Sequence, residues 1–172
     1  KQINPDKDIF HADNSERLKI ENCDFIGGKN AVSITTKPES KSFVAFDYCS
    51  FFDQREAGII SLSMQEGVEI PNHTDIHAKN IIFRTGRGLI TNARRTLISA
   101  FWAINDPHLN NAAFFENRGG EMRIQNMLGN PVLWSGHANK KPSTIKDWVY
   151  SKNVRWFDNW GRLHTQNVRF GG

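Results

Sequence analysis

Leu18-Lys19-Ile20-Glu21-Asn22-Cys23-Asp24-Phe25 is the stretch on which the reading of this chain turns. Two apolar residues alternate with polar ones, an asparagine follows, then a small apolar residue, a spacer and an aromatic. The phrase returns as Val44-Ala45-Phe46-Asp47-Tyr48-Cys49-Ser50-Phe51 and as His77-Ala78-Lys79-Asn80-Ile81-Ile82-Phe83. Weaker copies are Ile124-Gln125-Asn126-Met127, Lys152-Asn153-Val154-Arg155-Trp156 and Gln166-Asn167-Val168-Arg169-Phe170. Alternation at period two in β-branched and aromatic residues predicts strands. Repetition predicts stacking, because no single copy can bury its apolar face alone.

Working outward, the small apolar residue of each copy serves as an anchor. The anchors are Cys23, Cys49, Ile81, Phe101, Met127, Val154 and Val168, at spacings of 26, 32, 20, 26, 27 and 14 residues. The last interval is too short for a full unit, so one of the final two anchors belongs to another strand or the repeat breaks there. The Phe101 copy is also irregular, with Ala100 where the other copies carry a polar residue. A second strand follows most anchors after a Gly-containing loop: Ala31-Val32-Ser33-Ile34, Ile59-Ile60-Ser61-Leu62, Leu89-Ile90-Thr91, Ala112-Ala113-Phe114-Phe115 and Pro131-Val132-Leu133-Trp134. Glycine in these loops predicts positive φ. An antiparallel sandwich explains short strands equally well, but not one phrase at about 26-residue intervals.

Composition agrees with strands: 12 Phe and 5 Trp in 172 residues, enough for one domain with a sizeable core. The net charge of +4 favours an acidic partner. With no nucleic-acid motif and no Lys/Arg-dense run, that partner reads as an anionic polysaccharide rather than a nucleic acid. No apolar run approaches the ~20 residues of a membrane span. Residues 1–172 read as a single domain, and the abrupt ends at Lys1 and Gly172 suggest a segment lacking one or both caps. Cys23 and Cys49 fall at equivalent places in consecutive copies, and stacked parallel side chains have poor disulfide geometry, so both are expected as buried free thiols.

The phrase, the Gly loop and the strand that follows resemble the right-handed parallel β-helix of the pectate-lyase-like superfamily, over about residues 9–170. Asn22, Asn80, Asn126, Asn153 and Asn167 match the asparagine that stacks at that family's tight corner, with Asp47-Tyr48 in its place in the second copy. The resemblance implies an all-β, single-stranded right-handed solenoid of about six rungs, part of a longer one. It implies a carbohydrate-active protein that cleaves a polysaccharide by hydrolysis or lyase elimination. The alternative is a non-enzymatic glycan-binding or structural β-helix, such as a phage tailspike segment or adhesin. An extracellular or cell-surface place is implied, or a virion for a tailspike, with a monomer or, for a tailspike, a homotrimer.

The resemblance also implies a site along the face built by the strand after the Gly loop. Glu116, Asp106 and Asp53 are the candidate acids or nucleophiles there, with Glu56 beside Asp53 in its loop. His137 is a candidate base near neutral pH, as is His108. Arg87, Arg94, Arg95 and Arg118 would grip substrate carboxylates with their guanidinium forks, and Trp134 would stack on a sugar ring. Thr91-Asn92-Ala93-Arg94-Arg95, Glu116-Asn117-Arg118 and Trp134-Ser135-Gly136-His137 are expected to stack in successive units. His73 and His77 have a metal-like spacing but no helix to carry it and no third ligand, so no metal is expected. No phosphate-loop or dinucleotide fingerprint is present, and no cofactor is expected.

Overall fold

The computed structural model describes residues 4–37, 39–65, 68–69, 73–105, 113–131 and 156–170. Over them the chain is all-β. One sheet runs in the order β1 (Phe10–Asp13), β4 (Asn30–Thr36), β7 (Ala57–Gln65), β10 (Leu89–Thr91), β12 (Phe115–Asn117) and β14 (Phe157–Asn159). The other runs β15 (Arg162–Phe170), β13 (Glu121–Pro131), β11 (Arg95–Asn105), β9 (Asp75–Thr85), β5 (Phe43–Asp47) and β2 (Arg17–Glu21). The short β3 (Asp24–Ile26) and β6 (Ser50–Phe52) continue it beside β9. All these pairings are parallel, and each strand pairs with its counterpart in another copy of the phrase, not with its neighbour in sequence. The antiparallel pair among the described residues is β7 with β8 (Val68–Glu69), in the stretch that lengthens the second interval. No helix among the described residues is long and apolar enough to cross a membrane.

The asparagine of the phrase has a backbone role. Asn22, Asn80, Asn126 and Asn167 all adopt φ between 53° and 54°, and Tyr48 adopts 50° in the second copy. Asparagine is among the few residues that tolerate this left-handed conformation. The side chains also link copies: Asn167 Nδ2 donates to Asn126 Oδ1 at 3.0 Å, and Asn80 Nδ2 donates to Asp47 Oδ1 at 2.9 Å. In the second copy the two jobs are therefore split, Tyr48 turning the chain and Asp47 accepting the bond.

Inward positions fill the interior. Val44, Phe46, Ile76, Ala78, Ile98, Met122 and Ile124 on one sheet are at most 2% exposed, as are Val32, Ile59, Leu89 and Phe115 on the other. An aromatic column ties the copies together. Phe25 stacks on Phe51 with centroids 5.3 Å apart, and Phe51 stacks on Phe83 at 5.1 Å. Phe83 meets Phe114 and Phe115 edge-on at 6.0 Å, and Phe115 stacks on Phe157. Cys49 is buried and free, and burial pushes its thiol pKa up; Cys23, also free, is half-buried rather than buried.

Three expectations need correction, and the final anchor can be assigned. Ala100, not Phe101, pairs with Ile81, and the register shifts on either side of it. This copy has no asparagine to make the left-handed corner, so β11 passes through with an irregular register at Ala100 instead. Val168 pairs with Met127, which makes it the final anchor; Val154 and Asn153 lie outside the described residues. The strand beside β12 is β14, not Pro131–Trp134: Phe157 takes the place opposite Phe115, where its ring continues the aromatic column. Finally, Gly27 and Gly28 have positive φ, but Gly58 and Gly88 do not. Gly88 is required for space, since a Cβ there would lie 2.5 Å from Phe114 Cε1.

Candidate functional site

Strand β12 brings Glu116 to the outer face of the first sheet. Its neighbours Phe115 and Asn117 point inward, and period two turns Glu116 away from the core. Along that face the register aligns His11, Ser33, Ile60, Ile90, Glu116 and Asp158. Glu116 is nonetheless only 7% exposed, because two cations cover it. Arg87, from the loop between β9 and β10, forms an ion pair with Glu116 Oε2. Arg118, just past β12, donates from Nε to Glu116 Oε1 at 2.5 Å. The Arg87 side chain is fixed in turn by a bond from its Nε to the Ala113 carbonyl at 3.1 Å, and Thr85 Oγ1 donates to the Arg87 carbonyl at 2.5 Å. A buried carboxylate needs such partners, since an unpaired charge in the interior costs several kcal/mol.

Asp158 was not among the sequence candidates, and it stands directly opposite Glu116 on the adjacent parallel strand. Parallel strands lie ~4.8 Å apart, so two carboxylates project from neighbouring positions of one face. The signal was in the sequence: Phe157-Asp158-Asn159 repeats Phe115-Glu116-Asn117. The repetition extends to the next position, where Asn117 Nδ2 donates to Asn159 Oδ1 at 2.7 Å.

Arg94 and Arg95 lie elsewhere, at the start of β11, and both hold Asp75 of β9. Arg94 Nη2 reaches Asp75 Oδ2 at 2.8 Å and Arg95 Nη2 reaches it at 2.6 Å. Burial alone would raise the Asp75 pKa, but the hydrogen bonds from Arg95 and Arg94 outweigh it and hold the carboxyl below its usual value. The expected grip on a carboxylate is thus present, with a carboxylate of the chain itself. Asp53 turns the corner after β6 at φ 62°, its amide donating to the Arg84 carbonyl at 2.8 Å. It sits in the loop before β7, which β10 separates from β12, so the fold does not pair it with Glu116. Glu56 pairs with Lys29 at 3.3 Å. His77 packs its ring edge against Phe43, and burial together with Lys79 lowers its pKa. No cluster of His, Cys, Asp or Glu among the described residues could hold a metal. Asp106, His108, Trp134 and His137 lie outside the described residues.

A second feature lies on the outer side of the other sheet. Trp102, Leu128 and Arg169 occupy one register row across β11, β13 and β15. With Met127 and the corner residues Asn126 and Asn167 they line an open depression of about 570 Å3. Trp102 is 41% exposed and Leu128 44%. Trp102 was legible as an outward position, since it holds the spacer place of the phrase, as Asp24, Ser50 and Ile82 do in their copies.

Comparison with protein-family models, curated proteins and solved structures finds no match to this chain.

Proposed function

We propose that this chain is a right-handed parallel β-helix that cleaves an acidic polysaccharide by glycoside hydrolysis at the outer face of its first sheet. Support for the coil comes from the parallel pairing of equivalent strands, the left-handed corners and the aromatic column. The observation that carries the activity is the register of Glu116 opposite Asp158. Retaining glycosidases hold two carboxyl groups ~5–5.5 Å apart, close to one strand spacing. Glu116, gripped by Arg87 and Arg118, suits the ionised member of such a pair, and Asp158 opposite it supplies the second carboxyl. Elimination is less well served, because guanidiniums committed to a carboxylate are poor bases.

Incubation with a panel of acidic polysaccharides is expected to release reducing ends with retained anomeric configuration. Asp158→Asn should lower the rate by about 100-fold or more while the circular dichroism spectrum is kept. Release of no product from any glycan by folded protein, or full activity in Asp158→Asn, would refute the hydrolase. A second reading, a non-catalytic glycan-binding or tailspike-like segment, is favoured by the low exposure of Glu116. Binding without cleavage, together with a trimer mass in solution, would establish it.

A further inference from the structure

The depression on the second sheet has the chemistry of a sugar site, and nothing in the cleavage reading uses it. We propose that it binds one anionic pyranose unit, a uronate, of a polysaccharide lying across strands β11, β13 and β15. The inference rests on the glycan reading above but not on cleavage.

Trp102 and Leu128 are adjacent in register and both substantially exposed, an apolar platform for a pyranose face. Arg169 stands next in the same row, two strand spacings or roughly 10 Å from Trp102. A ring over the platform places its carboxylate toward that guanidinium. Arg169 is exposed and, like Arg17, Arg84 and Arg162, makes no ion pair among the described residues; of these four it is the one that lines the depression. The guanidinium geometry suits a bidentate carboxylate.

The asparagine corner supplies the polar contacts. Asn167 Nδ2 is committed to Asn126 Oδ1, which leaves Asn126 Nδ2 as a donor and Asn167 Oδ1 as an acceptor without partners among the described residues. Sugar hydroxyls can meet both. The net charge of +4 draws a polyanion in the same sense.

The test is calorimetric titration of the full chain, in its Asp158→Asn form to prevent turnover, with a hexameric oligouronate and with its carboxyl-reduced neutral counterpart. The oligouronate is expected to bind at least tenfold more tightly than the neutral chain. Trp102→Ala should weaken both by about tenfold or more; Arg169→Gln should weaken the oligouronate alone. Arg123→Gln, an exposed cation on the same sheet, should leave both within twofold. Unchanged affinity in Trp102→Ala and Arg169→Gln, or equal binding of the two oligomers, overturns the proposal, as does absence of binding. Cleavage by wild-type protein, measured in parallel, separates the two ideas. Cleavage with unaffected affinity in both variants sinks the depression alone, and affinity loss without wild-type cleavage sinks the hydrolase alone.

Discussion

Replacing Tyr48 by asparagine should make this protein more stable. Tyr48 is the one residue among the five aligned left-handed corners that is not asparagine, at φ 50°. A bulky L-residue in that region pays roughly 1–2 kcal/mol, of which asparagine is spared a good part. Little is lost in exchange, because the tyrosine ring is 64% exposed and buries little apolar area. The net expectation is a gain of about 1 kcal/mol, or about 2–4 °C in Tm for a chain of this size. Asn80→Ala should show the reverse. It removes the short polar side chain whose local hydrogen bonding lets asparagine tolerate φ 53°, and deletes the 2.9 Å bond to Asp47, for a loss of about 1.5–2.5 kcal/mol. Equilibrium urea unfolding of both variants beside wild type measures the two shifts. A neutral or destabilised Tyr48→Asn, or an Asn80→Ala as stable as wild type, would refute the view that backbone conformation selects the corner residue.

Phe83 sits in the middle of the aromatic column at 0% exposure, so Phe83→Ala should cost about 3–5 kcal/mol, whereas Phe25→Ala at its half-buried end should cost much less; similar losses in urea unfolding would contradict the column as a single packed unit. Asp75 has a folded pKa below its unfolded value, so its contribution is present above about pH 4 and is lost as pH falls through the folded pKa. Asp75→Asn should therefore cost about 1 kcal/mol at neutral pH and progressively less on acidification, and a penalty that grows as pH falls would reverse the sign of the argument.

Much of the strand pattern was legible because its causes are local. Asn22, Asn80, Asn126 and Asn167 can be read as corners since few other residues tolerate the backbone there. Where the phrase loses its asparagine, the reading failed by one residue, and the structure places Ala100 rather than Phe101 opposite Ile81. The misplacement of the strand after β13 has a different source. Phe157 follows Phe115 by 42 residues where Phe115 follows Leu89 by 26, and a lengthened interval leaves no periodic trace; the match of Phe157-Asp158-Asn159 to Phe115-Glu116-Asn117 was the available clue. The site was less legible than the strands. Guanidiniums can be counted in a sequence, but whether they face a ligand or an internal acid depends on register. Asp75 and Arg95 are 20 residues apart and become direct partners only once β9 and β11 align.

The irregular register at Ala100 has a consequence for how such a protein could be redesigned. The regular corners favour asparagine, with Tyr48 as the exception, so they are poor places to write new specificity. Trp102 lies in the copy that lacks the left-handed corner among the described residues, and the register row it shares runs on through Leu128 and Arg169. Diversity in this architecture can therefore be encoded by replacing the corner asparagine in one copy of the repeating phrase while keeping its length. A library confined to positions 100–102 and their register partners would explore new surfaces while the asparagine corners on either side hold the neighbouring strands in place.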